Sequence, residues 1–380
     1  MRNTIIRTGL ALGLIAILSG ASLIAVSAQF NVSHSSPVAV IIDGNFDMVI
    51  FVSPQYSQDI DITTAIESYI SAANDDLDWN TKILSLTDEN NDYQKIDQIL
   101  ENNYNLYNIK AAIMVGEDTD TALAGDLDYM EKPSIVPWYT TGGVEAYEVS
   151  DQGIVSKPYT MDICISLLYP TSTLDYQTKK TQIISAFHKF TTQRQVTFDS
   201  DILVFESSEL NKHSKDIYQS LDQYGNLLYS EDPTESEIIK SLDDSYSMYY
   251  IHGHSNPAGT DVNADESGWF SAESVDAIDT PFFAADGCYV GGWRSNQLDN
   301  NILDPSIDGS WYGSKIFTSE HVQVMVLGLL SQNGFSFSVS FIENAVPDLI
   351  DGVVLAESMI GNSYVGDNAV VFGDPTFHYA

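Results

Sequence analysis

Cysteine and positive charge are what this sequence has least of. Two cysteines, Cys164 and Cys288, occur in 380 residues, too few for a disulfide framework. A secreted chain permits one bridge between them; without it, at least one thiol is kept for chemistry. Sixteen Lys and Arg stand against 53 Asp and Glu, a formal net charge of −37. A chain this acidic repels phosphate backbones and anionic lipid surfaces, which excludes general nucleic-acid binding. Repeats of solenoid period and low-complexity linkers are also missing, which excludes solenoids and loosely tethered modules. Beyond residue 28 no run is long and apolar enough to span a bilayer.

What is present is a chain built to fold. Hydrophobic residues make up 44% and aromatics 11%, so the acidity does not signal a disordered tail. The N-terminus differs from the rest. Arg2 and Arg7 precede an uncharged stretch from Gly9 to Val26, and Val26-Ser27-Ala28 places small residues where a signal peptidase cuts. Residues 1–28 therefore read as a secretory signal, or, uncleaved, as an N-terminal anchor. The expected location is secreted, extracellular or cell-surface, with membrane contact only if that segment stays attached.

The body alternates strand and helix patterns. Val38–Ile42 and Met48–Val52 flank Asp43-Gly44-Asn45, a hairpin signal. Ile62–Ala73, Tyr93–Tyr104 and Tyr176–Phe190 carry apolar residues at helical spacing. Ile109–Val115, Met161–Leu168, Ile202–Phe205, Tyr246–Ile251, Pro281–Ala285 and Val322–Leu330 read as buried strands. Thr234 with Glu237 three residues on predicts a capped helix. Strands separated by helices imply right-handed crossovers and a mostly parallel α/β sheet flanked by helices. The polar stretch Thr191–Asp199 divides the body into a smaller α/β subdomain, 37–194, and a second α/β subdomain, 195–380.

In open α/β sheets, ligands sit beyond the carboxyl ends of the strands. Two ends carry chemistry. The strand 246–251 runs into His252-Gly253-His254-Ser255, and the strand 281–285 runs into Asp286-Gly287-Cys288. Neighbouring strands would set a thiol beside an imidazole base, the pairing that activates a cysteine nucleophile. Gly253, Ser255 and Gly287 offer backbone N–H groups near the sulfur for an oxyanion. The competing reading of His252 and His254 is a zinc hydrolase, with Cys288 or His213 as third ligand. Cys164, between Ile163 and Ile165, reads as a buried structural thiol. The Asp-rich stretches 261–266 and 299–308 suit a structural Ca²⁺ or, equally, a solvated acidic surface.

A hydrophobic strand ending in His-Gly, followed by one ending in Cys, resembles the caspase-fold cysteine peptidases, and the gingipain family most. The terminal Val370-Val371-Phe372-Gly373-Asp374-Pro375-Thr376 is similar to the Gly-Asp-Pro segment closing the gingipain catalytic domain, and Asp162–Pro170 with its following helix resembles another family segment, with Ser166-Leu167 where the family has Gly-Arg. The resemblance covers about residues 45–380. It implies a caspase-like sheet and a Cys-His endopeptidase acting on proteins or peptides through an acyl-enzyme, with no cofactor for the chemistry and no catalytic metal. Cys288 would be the nucleophile. His254 fits as the base in one register, Gly253-His254, and His252 in the other, His252-Gly253; the first is preferred. The family's pattern after the His is Gly-Ser, and here Ser255-Asn256 follows His254. Glu206, ending the strand 202–205, falls where the family's imidazole-orienting acid lies, and Glu209 where its specificity pocket has an acid. A catalytically inactive surface scaffold keeping the same fold is the alternative.

Overall fold

Ten strands share one sheet in the computed structural model, which describes residues 44–88, 93–116, 123–124, 132–133, 161–171, 173–199, 201–210, 221–256, 258–265, 267–287, 290–291, 311–328, 345–360 and 369–380. The leader, the Val38–Ile42 run, His213, Glu266, Cys288 and the stretch 299–308 lie outside the described residues.

The strands are β1 (Met48–Val52), β2 (Thr81–Ser85), β3 (Ala111–Val115), the short pair β4 (Leu123–Ala124) and β5 (Lys132–Pro133), β6 (Cys164–Leu168), β7 (Asp201–Glu206), β8 (Asn226–Glu231) and β9 (Met248–His252). They continue with β10 (His254–Asn256), β11 (Gly259–Asp261), β12 (Trp269–Ser271), β13 (Phe282–Asp286), β14 (Val324–Gly328) and β15 (Ala369–Gly373). The large sheet has the order β2-β1-β3-β6-β15-β14-β13-β9-β7-β8. Every adjacent pair is parallel except β14 with β15. Buried on both faces, the central strands are continuous apolar runs: AAIMV, CISLL, MYYIH, FFAAD and VMVLG each have every residue buried.

The single antiparallel junction has a geometric result. Strands β2, β1, β3, β6 and β15 run one way, and β14, β13, β9, β7 and β8 run the other. Only the second group brings its carboxyl ends to the edge that holds His252 and Asp286. The sheet also crosses the 194/195 division without a break, because β15 pairs with β6 on one side and β14 on the other.

Helix α1 (Ile60–Leu77) starts where the Asp59 carboxylate accepts the amides of Asp61 and Ile62, and it buries Ile62, Ile66, Tyr69 and Ala73 at three- and four-residue steps. Helix α2 (Tyr93–Tyr107) follows β2. Helix α3 (Tyr176–Thr192) is capped by Asp175 in the same way and buries Ile183, Ala186, Phe187 and Phe190. The rings of Tyr69 and Phe187, 5.5 Å apart, pin α1 to α3. Helix α4 (Glu235–Ser241) carries the full capping box expected from Thr234 and Glu237. No helix of the described residues is long and apolar enough to cross a membrane.

The segment Gly373-Asp374-Pro375-Thr376 closes the junction. Gly373 has φ of +105°, and a Cβ there would meet the Gln323 carbonyl, so a glycine is needed. The Asp374 carboxylate, buried, accepts the Tyr69 hydroxyl at 2.6 Å, the Thr376 amide at 2.9 Å and Arg194 Nη1 at 3.2 Å. Arg194 turns its other edge to Asp76, at 2.8 Å. One motif thus ties α1, the end of α3 and the close of β15 together.

Candidate active site

Registered neighbours in a parallel sheet point to the same face. Glu206, His252 and Asp286 pair laterally across β7, β9 and β13 at their last residues. Sequence alone sets each of them at a strand end; the sheet puts the three in one row and fixes who touches whom. The Nδ1 of His252 donates to Glu206 Oε1 at 2.9 Å, and both side chains are buried, 5% and 0% exposed. The other carboxylate oxygen, Oε2, accepts the Tyr229 hydroxyl of β8 at 2.8 Å. Backbone bonds lock these ends: Ser207 N to His252 O, Asp232 N to Glu206 O and Gly253 N to Asp286 O.

His254 is placed differently. It begins β10, points outward with its side chain 53% exposed, and its Nε2 lies 3.1 Å from Glu209 Oε2. The acid expected to orient His254 therefore orients His252, and Glu209 is the partner of His254. The reason is the two-residue period of a strand followed by a turn at Gly253. His252 still belongs to the buried row of β9; His254 belongs to the small sheet β10-β11-β12 that begins after the turn.

The small sheet holds the turn in place through its inner face. Ser255, Thr260 and Phe270 are in register there. Ser255 Oγ donates to the Gly253 carbonyl at 3.1 Å and also lies 3.0 Å from Thr260 Oγ1. The buried Tyr312 hydroxyl bonds Thr260 Oγ1 and the Phe270 carbonyl, each at 3.1 Å. Phe270, Phe283 and Tyr312 stack beneath, with centroids 5.6–6.5 Å apart. Burying such rings contributes about 1.5–3 kcal/mol each, so this turn rests on a rigid floor.

Gly287 meets that turn from the other strand. A Cβ on Gly287 would lie 2.0 Å from Ser255 Oγ and 2.3 Å from the Gly253 carbonyl oxygen. Only a bare backbone permits the approach. Cys288 is the next residue in the sequence and lies outside the described residues. Of the three oxyanion candidates, Gly253 has its N–H committed to the Asp286 carbonyl at 3.2 Å; Ser255 and Gly287 face each other across the contact.

The remaining candidates fall elsewhere. Cys164 is a free, buried thiol that opens β6, and burial pushes it up to about 12, which disfavours the thiolate. Asp261 Oδ1 accepts the amides of Asn263 and Gly268, and Asp265 Oδ1 that of Ser267, so these carboxylates shape their own loop. Among the described residues no three His, Cys, Asp or Glu side chains converge on a metal-sized site. Asp232 also organises this end. Burial works against its charge, but the Ser208 hydroxyl and the amides of Ser208 and Ala264 hold it below the usual carboxylate range, and Ser208 carries Glu209 beside His254. Neither Tyr229 nor Tyr312 stands out in the sequence. Each is an aromatic among many, and only strand register reveals its partner.

No family model and no curated protein matches the chain by sequence. Solved structures do match. The crystal structure of the Arg-specific cysteine proteinase gingipain R aligns with a TM-score of 0.59 and 14% identity, over 89% of this chain and 79% of that one. The complex of the pro- and mature domains of RgpB from Porphyromonas gingivalis aligns at 0.56 and 14%, over 88% and 80%. At that identity the likeness establishes the fold: this sheet is the mostly parallel, helix-flanked α/β architecture of the gingipains.

Proposed function

From a gingipain-like fold as premise, we propose that the chain is a cysteine endopeptidase in which Cys288 is the nucleophile and His252 the base, oriented by Glu206. The observation that carries this reading is the buried 2.9 Å contact of His252 Nδ1 with Glu206, at a strand end whose turn is met by Gly287, the residue before Cys288. A carboxylate on Nδ1 fixes the tautomer that leaves Nε2 to exchange protons, and it stabilises the imidazolium. The sequence preference for His254 gives way here because an exposed imidazole on an exposed acid has neither fixed orientation nor shelter from water.

The chemistry follows in balance. His252 Nε2 takes the Cys288 proton, and the thiolate attacks the scissile carbonyl to form a tetrahedral oxyanion. The imidazolium returns the proton to the leaving amine as the C–N bond breaks, leaving a thioester. Water, deprotonated by His252, hydrolyses it and restores the thiol. Glu209, beside His254 at the rim, favours a cationic side chain in the substrate, and the net charge of −37 draws cationic peptides toward the protein. We further propose export through residues 1–28, where such substrates are met outside the cell.

The test is an activated-peptide probe that alkylates thiols, with hydrolysis of a mixed protein substrate in parallel. Labelling and cleavage are expected in the native chain, to vanish in Cys288→Ala, and to survive in His254→Gln. Full cleavage by Cys288→Ala would end the proposal; loss in His254→Gln with retention in His252→Gln would reverse the assignment of the base. An unreactive thiol in a well-folded chain would establish the scaffold alternative.

A further inference from the structure

Glu206 is a fully buried carboxylate in acidic company. Glu231 of β8 pairs with it in register, and Asp286 pairs with its partner His252. A buried carboxylate keeps its charge only where hydrogen bonds satisfy its oxygens. One oxygen has His252. The other has Tyr229, which reaches from β8, two residues back along the strand from Glu231 and so on the same face. The phenol-to-carboxylate distance is 2.8 Å, a charge-assisted bond.

We propose that Tyr229 is a positioning residue: it holds Glu206 in the rotamer that meets His252, and it takes part of the carboxylate's charge away from the imidazole. The inference rests on the peptidase reading for its catalytic consequence, though not for its structural one. Two effects follow from removing the hydroxyl. The carboxylate gains freedom about its last torsion, so the imidazole is less often in line with the sulfur. Its charge also falls more fully on His252, which favours the imidazolium. Among the described residues, the charged and titratable groups that register places around His252 are Glu206 on β7, Tyr229 and Glu231 on β8 and Asp286 on β13, with His254 and Glu209 beyond the turn. Tyr229→Phe keeps the ring and removes the hydroxyl that meets Glu206.

The experiment uses the full chain with isotope-labelled histidine, and NMR titration of the His252 imidazole, assigned by the signal lost in His252→Gln. In Tyr229→Phe the His252 midpoint is expected to rise by about half to one pH unit, with the other histidines unmoved. In the same variant kcat on a peptide substrate is expected to fall about five- to tenfold with KM unchanged, and the acid limb of its pH profile to move with the NMR midpoint. An unchanged His252 midpoint overturns the proposal whatever the activity does, as does a loss of stability alone. A shifted midpoint in a chain with no thiol-dependent cleavage upholds the Tyr229–Glu206–His252 linkage and removes the peptidase reading, so the two fail separately.

Discussion

Asp374→Asn is expected to destabilise the folded protein by about 2–3 kcal/mol, and the structure sets that range. Asp374 and Arg194 are 2% and 7% exposed at their side chains. Removing one partner from a buried pair costs about 3–5 kcal/mol, chiefly because the other charge is left uncompensated. Arg194 is not left so: it keeps Asp76 at 2.8 Å and Thr376 Oγ1 at 2.9 Å. An amide oxygen in the place of Oδ1 also keeps the Tyr69 hydroxyl and the Thr376 N–H as its donors, each bond worth about 1 kcal/mol. The lower figure follows. Asp374→Ala forfeits both acceptors and is expected to reach the full 3–5 kcal/mol. Tyr69→Phe, which removes the hydroxyl's bond to Asp374 and its contact with Thr376 Oγ1, is expected to cost about 1–2 kcal/mol. Burial pushes the Tyr69 phenol well above its ordinary value, and the Asp374 charge adds to this, so it stays a donor at every working pH. Denaturant midpoints read by tryptophan fluorescence provide the assay. Since the pair is buried, the Asn loss is expected to persist at about 1 M salt, where surface pairs are screened. Equal midpoints for native, Asn and Ala chains would refute the reasoning, and so would a loss that salt abolishes.

Three further outcomes are expected. Gly287→Ala drives a Cβ into the Gly253 carbonyl and Ser255 Oγ; a cost of about 1–3 kcal/mol is expected in denaturant titration, with thiol-probe labelling falling far more than stability. Asp97 on α2 is raised to about 7 by burial and by Glu101 one turn on. Its folded value exceeds its unfolded one, so the stability it lends is present at pH 4 and lost as pH rises through 7; Asp97→Asn is expected to raise the melting temperature at pH 8 and to leave it unchanged at pH 4. In Cys288→Ala, the remaining Cys164 thiol is expected to resist a thiol reagent at pH 8 until denaturant is added, since its burial leaves almost no thiolate.

The central strands were legible because runs such as AAIMV and VMVLG must be buried on both faces. The capping box at Thr234 uses a local rule, and a local rule can be read from local sequence; the caps at Asp59 and Asp175, equally local, were not picked out. Pairing partners could not be read. Asp43-Gly44-Asn45 suggests a hairpin onto Met48–Val52, yet both edges of β1 are taken by β2 and β3 in full register. The small sheet at 254–271 was missed because its strands are three residues long, too short to show a period. His252 and His254 look alike in sequence; a glycine turn between them sends one into the buried row and the other to the surface. Tyr229 joins the site only through the register of β8 on β7, which depends on residues far from either. The direction change at β14 and β15 is likewise a property of packing order rather than of any one segment.

That packing order has a consequence during synthesis. A ribosome delivers the strands from β1 onward, and those on the two sides of the sheet can each pair among themselves as they emerge. Between them stands a gap the width of one strand, bordered by β6 and β14, and its occupant is made after both. Until residues 369–373 leave the exit tunnel, the nascent chain carries two apolar strand borders with unpaired backbone groups, the kind of surface that other chains add to. A message truncated before Ala369 therefore yields a product with both borders open, prone to assemble with its own copies through β6 or β14.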